Sequence, residues 1–300
     1  MKFTVSSDSC CDGFKSGLRK QGVSVYPMLF CRDGEVWTDT FSAPNEYLPF
    51  YAEQAKGKRF TTAGLNSEEM RDYFVGLILK ERKDVLHIAL SSGLSMTCGR
   101  TMDAAMRVNE ALTYDASLGR LIKKWPYKVY VVDSLSASIG QMQYVRNALA
   151  YGKRGLTAEE TAALIEDEKK RSFTAFFTDE LETLEKGGRI PESIAGLGDR
   201  PLDRIMPVLS FDGEGKLTVL AGADGAERAL TVLAERFAEC WDGKSEIYLC
   251  CGVQTELCGR LYDSAARVAP KEKIRKLMIG PVVGAHTGSG IVGLSFLKKL

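Results

Sequence analysis

The 300-residue chain has only two histidines, and one of them, His286, stands in "IGPVVGAHTGSG" directly after an apolar run. Imidazole changes charge nearest neutral pH, and glycines 280, 284, 288 and 290 allow close backbone approach, so this stretch reads as a site with room for a ligand. His87, in "DVLHIALSS", sits inside an apolar strand pattern and reads as a satisfied core residue. Three more stretches carry hydroxyls and carboxylates where strands should end: "VSSDS" at 5–9, "LSSGLS" at 90–95 and "VVDSLS" at 131–136. Helix capping explains any one of them. Three together, at the carboxyl edge of a parallel sheet, read as the polar lip of a pocket.

The chemistry on offer is anion binding. "SSGLSMTCG" supplies Ser91, Ser92, Ser95 and Thr97 beside the free N–H groups of a helix start, which suits a carboxylate or phosphate. The glycine, lysine and hydroxyl spacing of a nucleotide P-loop is absent. "FTTAGLNSEE" sets Thr61 and Thr62 before another helix start, where hydroxyls cap or bind. "LEKGGRIPES" puts Arg189 after a glycine pair, either as a surface residue or as a guanidinium that needs an anionic partner. Ser95, His286 and Asp133 are also the ingredients of acyl transfer, so an acyl hydrolase or transferase is the alternative, although no GxSxG elbow accompanies them.

Metal chemistry is not expected. Of the eight cysteines, Cys10-Cys11 and Cys250-Cys251 are adjacent pairs without CxxC spacing, and neighbours on a strand face opposite ways. They read as small buried hydrophobes.

The elements that must position these groups follow from periodicity. "FTVSSDS" and "VSVYPMLF" read as strands, with a hairpin turn at Asp33-Gly34. "SAPNEYLPFYAEQAKG" reads as a helix capped by Ser42 and closed by Gly57. Met70, Tyr73, Phe74, Leu77 and Ile78 recur at helical spacing before the strand "DVLHIALSS", a helix near 98–112 and the strand "KVYVVDS". Repeated β-α-β units imply a parallel sheet. Beyond Gly152–Gly155 the pattern changes: "RIMPVLSFDGEGKLTVLAG" is a hairpin turning at 212–215, and helices near 226–241 and 255–268 separate later strands. The expected fold is therefore α/β with two domains, a parallel-sheet domain over 1–154 and a mixed, largely antiparallel one over 155–300.

Bulk properties fit a small or apolar ligand. Lys plus Arg number 40 against 39 Asp plus Glu, so no net field draws nucleic acid or an anionic membrane. No run approaches the ~20 apolar residues of a membrane span, and the N-terminus lacks a signal-peptide pattern, so the expected location is cytoplasmic.

Seven segments, "SSDS", "TT" before a helix, "SSGLSMT", "VVDS", "LEKGGRI", "DRIMPVLSFDGEGKL" and "GPVVGAHTGSG", stand in an order that resembles the DegV family across essentially the whole chain. The resemblance implies a first domain similar to those of dihydroxyacetone kinase and the mannose phosphotransferase IIA component, with a long-chain fatty acid between the domains. It implies that Thr61 and Ser95 bind the carboxylate and that Arg189 and His286 support them, with Thr62, Ser92 and Thr287 beside them. No cofactor is implied beyond that lipid, and the role is that of a carrier rather than an enzyme. Family members that serve a fatty acid kinase present the carboxylate to it. Here Met96 replaces a glycine of the family pattern, which should narrow the headgroup end. Met206 replaces a lysine and Asp224 an arginine, changes that bear on kinase partnership more than on lipid binding.

Overall fold

A computed structural model describes residues 1–118, 120–191, 194, 205–253 and 255–299. Fifteen strands run in chain order through them. They are β1 (Phe3–Asp8), β2 (Val23–Tyr26), β3 (Leu29–Arg32), β4 (Glu35–Thr38), β5 (Phe60–Ala63), β6 (Asp84–Ala89), β7 (Leu112–Asp115) and β8 (Arg120–Lys123). β9 (Val129–Asp133), β10 (Ser172–Phe177), β11 (Ile205–Phe211), β12 (Leu217–Asp224), β13 (Ile247–Cys251), β14 (Ile274–Met278) and β15 (Val292–Leu297) complete the series.

The first layer is the parallel sheet β2-β1-β6-β9. All six residues of β1 are buried, as expected of a strand covered on both faces. Its covering helix Ser67–Glu81 starts at Asn66, whose side chain accepts from Glu68 N–H, buries Met70, Phe74, Leu77 and Ile78, and stops at Arg82 with φ 53°. The second layer, β12-β11-β10-β15-β13-β14, is antiparallel except for the β13–β14 pair. That pair is joined through the helix Thr255–Ala266. The β11–β12 hairpin turns where the sequence places it, with Gly215 at φ 74°.

Several expectations change. "VSVYPMLF" is two strands, because Pro27 offers no N–H to a ladder, and the chain there leaves the parallel sheet for a small antiparallel one, β4-β3-β5. Thr61 and Thr62 therefore lie within β5 and not at a helix start. The Asp33-Gly34 turn between β3 and β4 has φ of 51° and 85°, the geometry of a two-residue hairpin. The helix Pro44–Ala55 is capped by Ala43 without a side-chain bond, one residue after Ser42. An unexpected hairpin, β7–β8, follows the helix Thr97–Glu110. Cys251 and Cys258 are joined as a disulfide, with Cα atoms 6.0 Å apart, so Cys251 is not the simple buried hydrophobe expected. Cys10, Cys11, Cys98 and Cys250 are buried and free.

The helix Ser138–Lys153 packs on β1 and β6 on one side and on β10, β13 and β15 on the other. Its Ile139, Met142 and Val145 belong to one buried cluster with Val5, Leu86 and Phe176, so a single core joins the two layers. Among the described residues no helix is long and apolar enough to cross a membrane.

Candidate functional site

A cavity of about 150 Å³ lies between the two layers. Leu90, Ala137 and Ile139 line it from the first layer, and Phe176, Cys250 and Ile291 from the second. Its polar lining gathers Thr62, Ser95, Thr97, Arg189, His286 and Thr287. Apolar walls with a few convergent polar groups are the ordinary form of a small-molecule site.

His286 belongs to the short helix Pro281–Thr287, which the fold grips at both ends. Asp12 Oδ1 accepts from Gly280 N–H at 2.9 Å, and Tyr51 donates to Ile279 O at 2.8 Å. Gln54 Nε2 donates to Gly284 O at 2.9 Å, and Thr178 Oγ1 to Thr287 O at 2.6 Å. Glu180 Oε1 accepts from the N–H and hydroxyl of Ser289 at 2.6 and 2.7 Å. Much of the space beside the glycines of this segment is thus taken by protein. A Cβ at Gly280 would meet Asp12 Oδ1 at 2.9 Å, one at Gly284 would meet the Tyr51 hydroxyl at 2.9 Å, and one at Gly288 would collide with the Glu180 carboxyl. The glycines serve close packing, not room for a ligand.

The imidazole is held between two elements. Its Nε2 lies 2.9 Å from Thr62 Oγ1, and Gly187 covers Nδ1 so closely that a Cβ there would sit at 2.5 Å. Nδ1 is buried and has no hydrogen-bond partner among the described residues. Burial first, and the Arg189 guanidinium second, lower its pKa to about 4, so the ring is neutral at pH 7 and acts by hydrogen bonding. Arg189 is half-buried and donates to the carbonyls of Leu94, at 3.3 Å, and Gly187. Arg189 lines the cavity, and among the described residues no carboxylate forms an ion pair with it. Ser95 Oγ accepts from Thr97 N–H at 3.2 Å and sits 2.9 Å from Thr97 Oγ1, at the start of the helix Thr97–Glu110.

Other expected residues lie elsewhere. Thr61 is exposed and does not line the cavity; Thr62 does. Alternation along β5 sends the two hydroxyls to opposite faces, so a register change of one residue exchanges their roles. Ser92 is exposed, and its N–H donates to Asp133 Oδ1 at 3.1 Å. Met96 is 73% exposed and does not narrow the cavity. Ser95, His286 and Asp133 form no relay: their hydrogen-bond partners are Thr97, Thr62 and the backbone of Ser92 and Leu135. Asp8 is likewise a brace, accepting from the N–H groups of Cys10 and Leu90 and from Gln141. His87 is fully buried against Ser6 and Phe74, a core residue as expected but only half satisfied: Nδ1 meets Ser6 Oγ at 3.0 Å, and Nε2 has no partner among the described residues.

Asp12, Tyr51, Gln54 and Glu180, which hold the His286 helix, had no signal in the sequence. Asp12 and Gly280 are 268 residues apart, and no local spacing records such a pairing. Among the described residues no group of three or more histidine, cysteine or carboxylate side chains could hold a metal ion.

Comparison with known proteins gives one consistent answer. The family model described as "Uncharacterised protein, DegV family" matches residues 2–299. A DegV domain-containing protein of Clostridium perfringens is 26% identical over 299 residues, covering 99% of this chain and 97% of the relative. A solved DegV family protein from Thermus thermophilus, described by its fatty acid binding, is 26% identical with a TM-score of 0.82 over all of both chains. A fatty acid binding DegV family protein of Streptococcus agalactiae shares the fold at 22% identity and a TM-score of 0.82, again over all of both chains. With the two-layer architecture and the match over nearly its whole length, the chain belongs to the DegV family.

Proposed function

We propose that this protein binds a long-chain fatty acid in the cavity between its two layers. The carboxylate is held by the hydroxyls of Thr62 and Ser95, with Arg189 and His286 in support and Thr287 beside them; the acyl chain fills the apolar part. The observation that carries this reading is the half-buried Arg189 guanidinium, bonded only to carbonyls among the described residues, in the lining of an apolar cavity. An anion completes such a cation, and an apolar tail gains ~0.8 kcal/mol for each methylene removed from water. The fatty acid binding of the Thermus thermophilus relative, 26% identical over its full length, supports the same reading.

The protein is then a carrier. It supplies position and no bond-making group, in keeping with a neutral His286 that bonds to Thr62 and not to Ser95. Presentation of the carboxylate to a fatty acid kinase would use a surface on which Asp224 is exposed and Met206 half-buried. The test of the headgroup is a calorimetric titration with oleate and with methyl oleate. Oleate should bind at least about 10-fold more tightly, because the ester cannot satisfy Arg189. Equal affinities would refute the carboxylate role.

A further inference from the structure

The segment 279–291, which carries His286, is anchored at both of its ends on one short turn. Ile279 N–H donates to Cys251 O at 3.0 Å; at the far end Val253 N–H donates to Ser289 O at 2.9 Å and Gly252 N–H to Ile291 O at 3.0 Å. The contact is so close that a Cβ at Gly252 would lie 2.0 Å from Ser289 O. Thr287 and Ile291 of the same segment line the cavity with His286. The frame that holds the imidazole therefore rests partly on residues 251–253.

That turn begins the loop closed by the Cys251–Cys258 disulfide. Cys251 ends β13 and is partly exposed, whereas Cys258, seven residues on in the helix Thr255–Ala266, is buried. Alternation along β13 turns Cys250 and Cys251 to opposite faces, and it is Cys250 that lines the cavity. The disulfide thus stands beside the lipid site without being part of its wall. A cystine restricts the chain that it closes, and here that chain carries the bonds to both ends of the His286 segment.

We propose that Cys251 and Cys258 are a reversible redox switch on the ligand site: closed, they hold the His286 segment in its binding geometry, and opened to two thiols they loosen it and weaken binding. The opening step is thiol–disulfide exchange with a dithiol. One thiolate of the dithiol attacks Cys251 Sγ, and the electron pair of the broken S–S bond leaves on Cys258 Sγ, which takes up a proton. The second thiolate then attacks the dithiol's sulfur in the mixed disulfide and releases Cys251, which takes up the other proton. Two electrons and two protons pass to the protein, and the dithiol becomes a disulfide. The effect on affinity rests on the fatty-acid reading above; the loosening of the segment does not.

The test compares delipidated full-length protein treated with oxidised glutathione and with dithiothreitol. Oleate affinity is read by equilibrium titration, and amide exchange over 280–290, without lipid, by mass spectrometry. The oxidised form should bind oleate about 5-fold or more tightly and exchange more slowly over that segment, and Cys258→Ser should match the reduced form under both treatments. Equal affinity or equal exchange in the two wild-type states, or a Cys258→Ser variant that still responds to the treatment, would overturn the switch. So would peptide mapping that finds no Cys251–Cys258 bond after oxidation. The wild-type comparison stands even where the variant fails to fold. Failure of both wild-type forms to bind oleate would instead overturn the fatty-acid reading, and the exchange measurement would then decide alone whether the pair controls the segment.

Discussion

Replacing Gly187 by alanine tests how His286 is positioned. Gly187 has φ −76°, a conformation alanine adopts freely, so the backbone effect alone should stabilise by about 0.4–1 kcal/mol. The new Cβ, however, would lie 2.5 Å from His286 Nδ1 and 3.2 Å from Thr183 O. The ring must move away, and its 2.9 Å contact with Thr62 cannot survive a displacement on the order of 1 Å. Losing that bond costs about 0.5–1.5 kcal/mol, and a displaced hydroxyl and ring lower fatty-acid affinity by roughly 5–30-fold. The neighbouring Gly188 is the control. It has φ 70°, and a Cβ added there would meet nothing within 4 Å, so Gly188→Ala should cost about 1–2 kcal/mol of stability and leave affinity nearly unchanged. Calorimetric titration and thermal unfolding of both variants give the two readouts. Wild-type affinity in Gly187→Ala, or equal losses of affinity in both, would refute this account of the imidazole's positioning.

Further outcomes follow from the same geometry. Thr62→Val should weaken fatty-acid binding by about 5–20-fold while Thr61→Val changes it less than about 2-fold, a contrast that equilibrium titration checks and that equal effects would contradict. Ala137→Leu, at an extended buried position lining the cavity, should fill it and abolish lipid uptake at a stability cost of about 1–3 kcal/mol, as read by delipidated-protein titration and denaturant unfolding. The His286 pKa of about 4 lies below the unfolded value of 6.5, so its contribution is present above pH 6.5 and is lost as pH falls towards 4. His286→Asn should therefore flatten the stability curve in that window by roughly 2–3 kcal/mol, measured as the difference from wild type in urea unfolding. With a purified fatty acid kinase, Asp224→Arg should speed acyl phosphate formation over wild type by about 5-fold or more, and no change would show that this carboxylate lies outside the docking surface.

Much of the architecture was legible because it is periodic. The parallel layer followed from β-α-β alternation, and the hairpins at Asp33-Gly34 and 212–215 from their turn residues. Pro27 carried the signal that "VSVYPMLF" is broken, since a residue without N–H cannot continue a ladder. The site was legible as a set of residue types and misplaced in detail. Both Thr61 and Thr62 were expected at the site; only Thr62 lines the cavity, because period-two alternation turns Thr61 to the other face. Ser92 and Asp133 were drawn into each other by capping, a competition that sequence alone does not settle. The clamp on the His286 helix stayed invisible because Asp12 and Glu180 reach it only after the chain has closed two layers around one core.

In the proposed reading the cavity beside His286 and Arg189 holds a long-chain fatty acid. Its most direct test is organic extraction of the purified, denatured protein, with the released molecules identified by mass spectrometry and a His286→Ala variant prepared in parallel. About one fatty acid per chain is expected in wild type, with clear depletion in the variant. No lipid in wild type, even after incubation with a mixture of fatty acids, would contradict it.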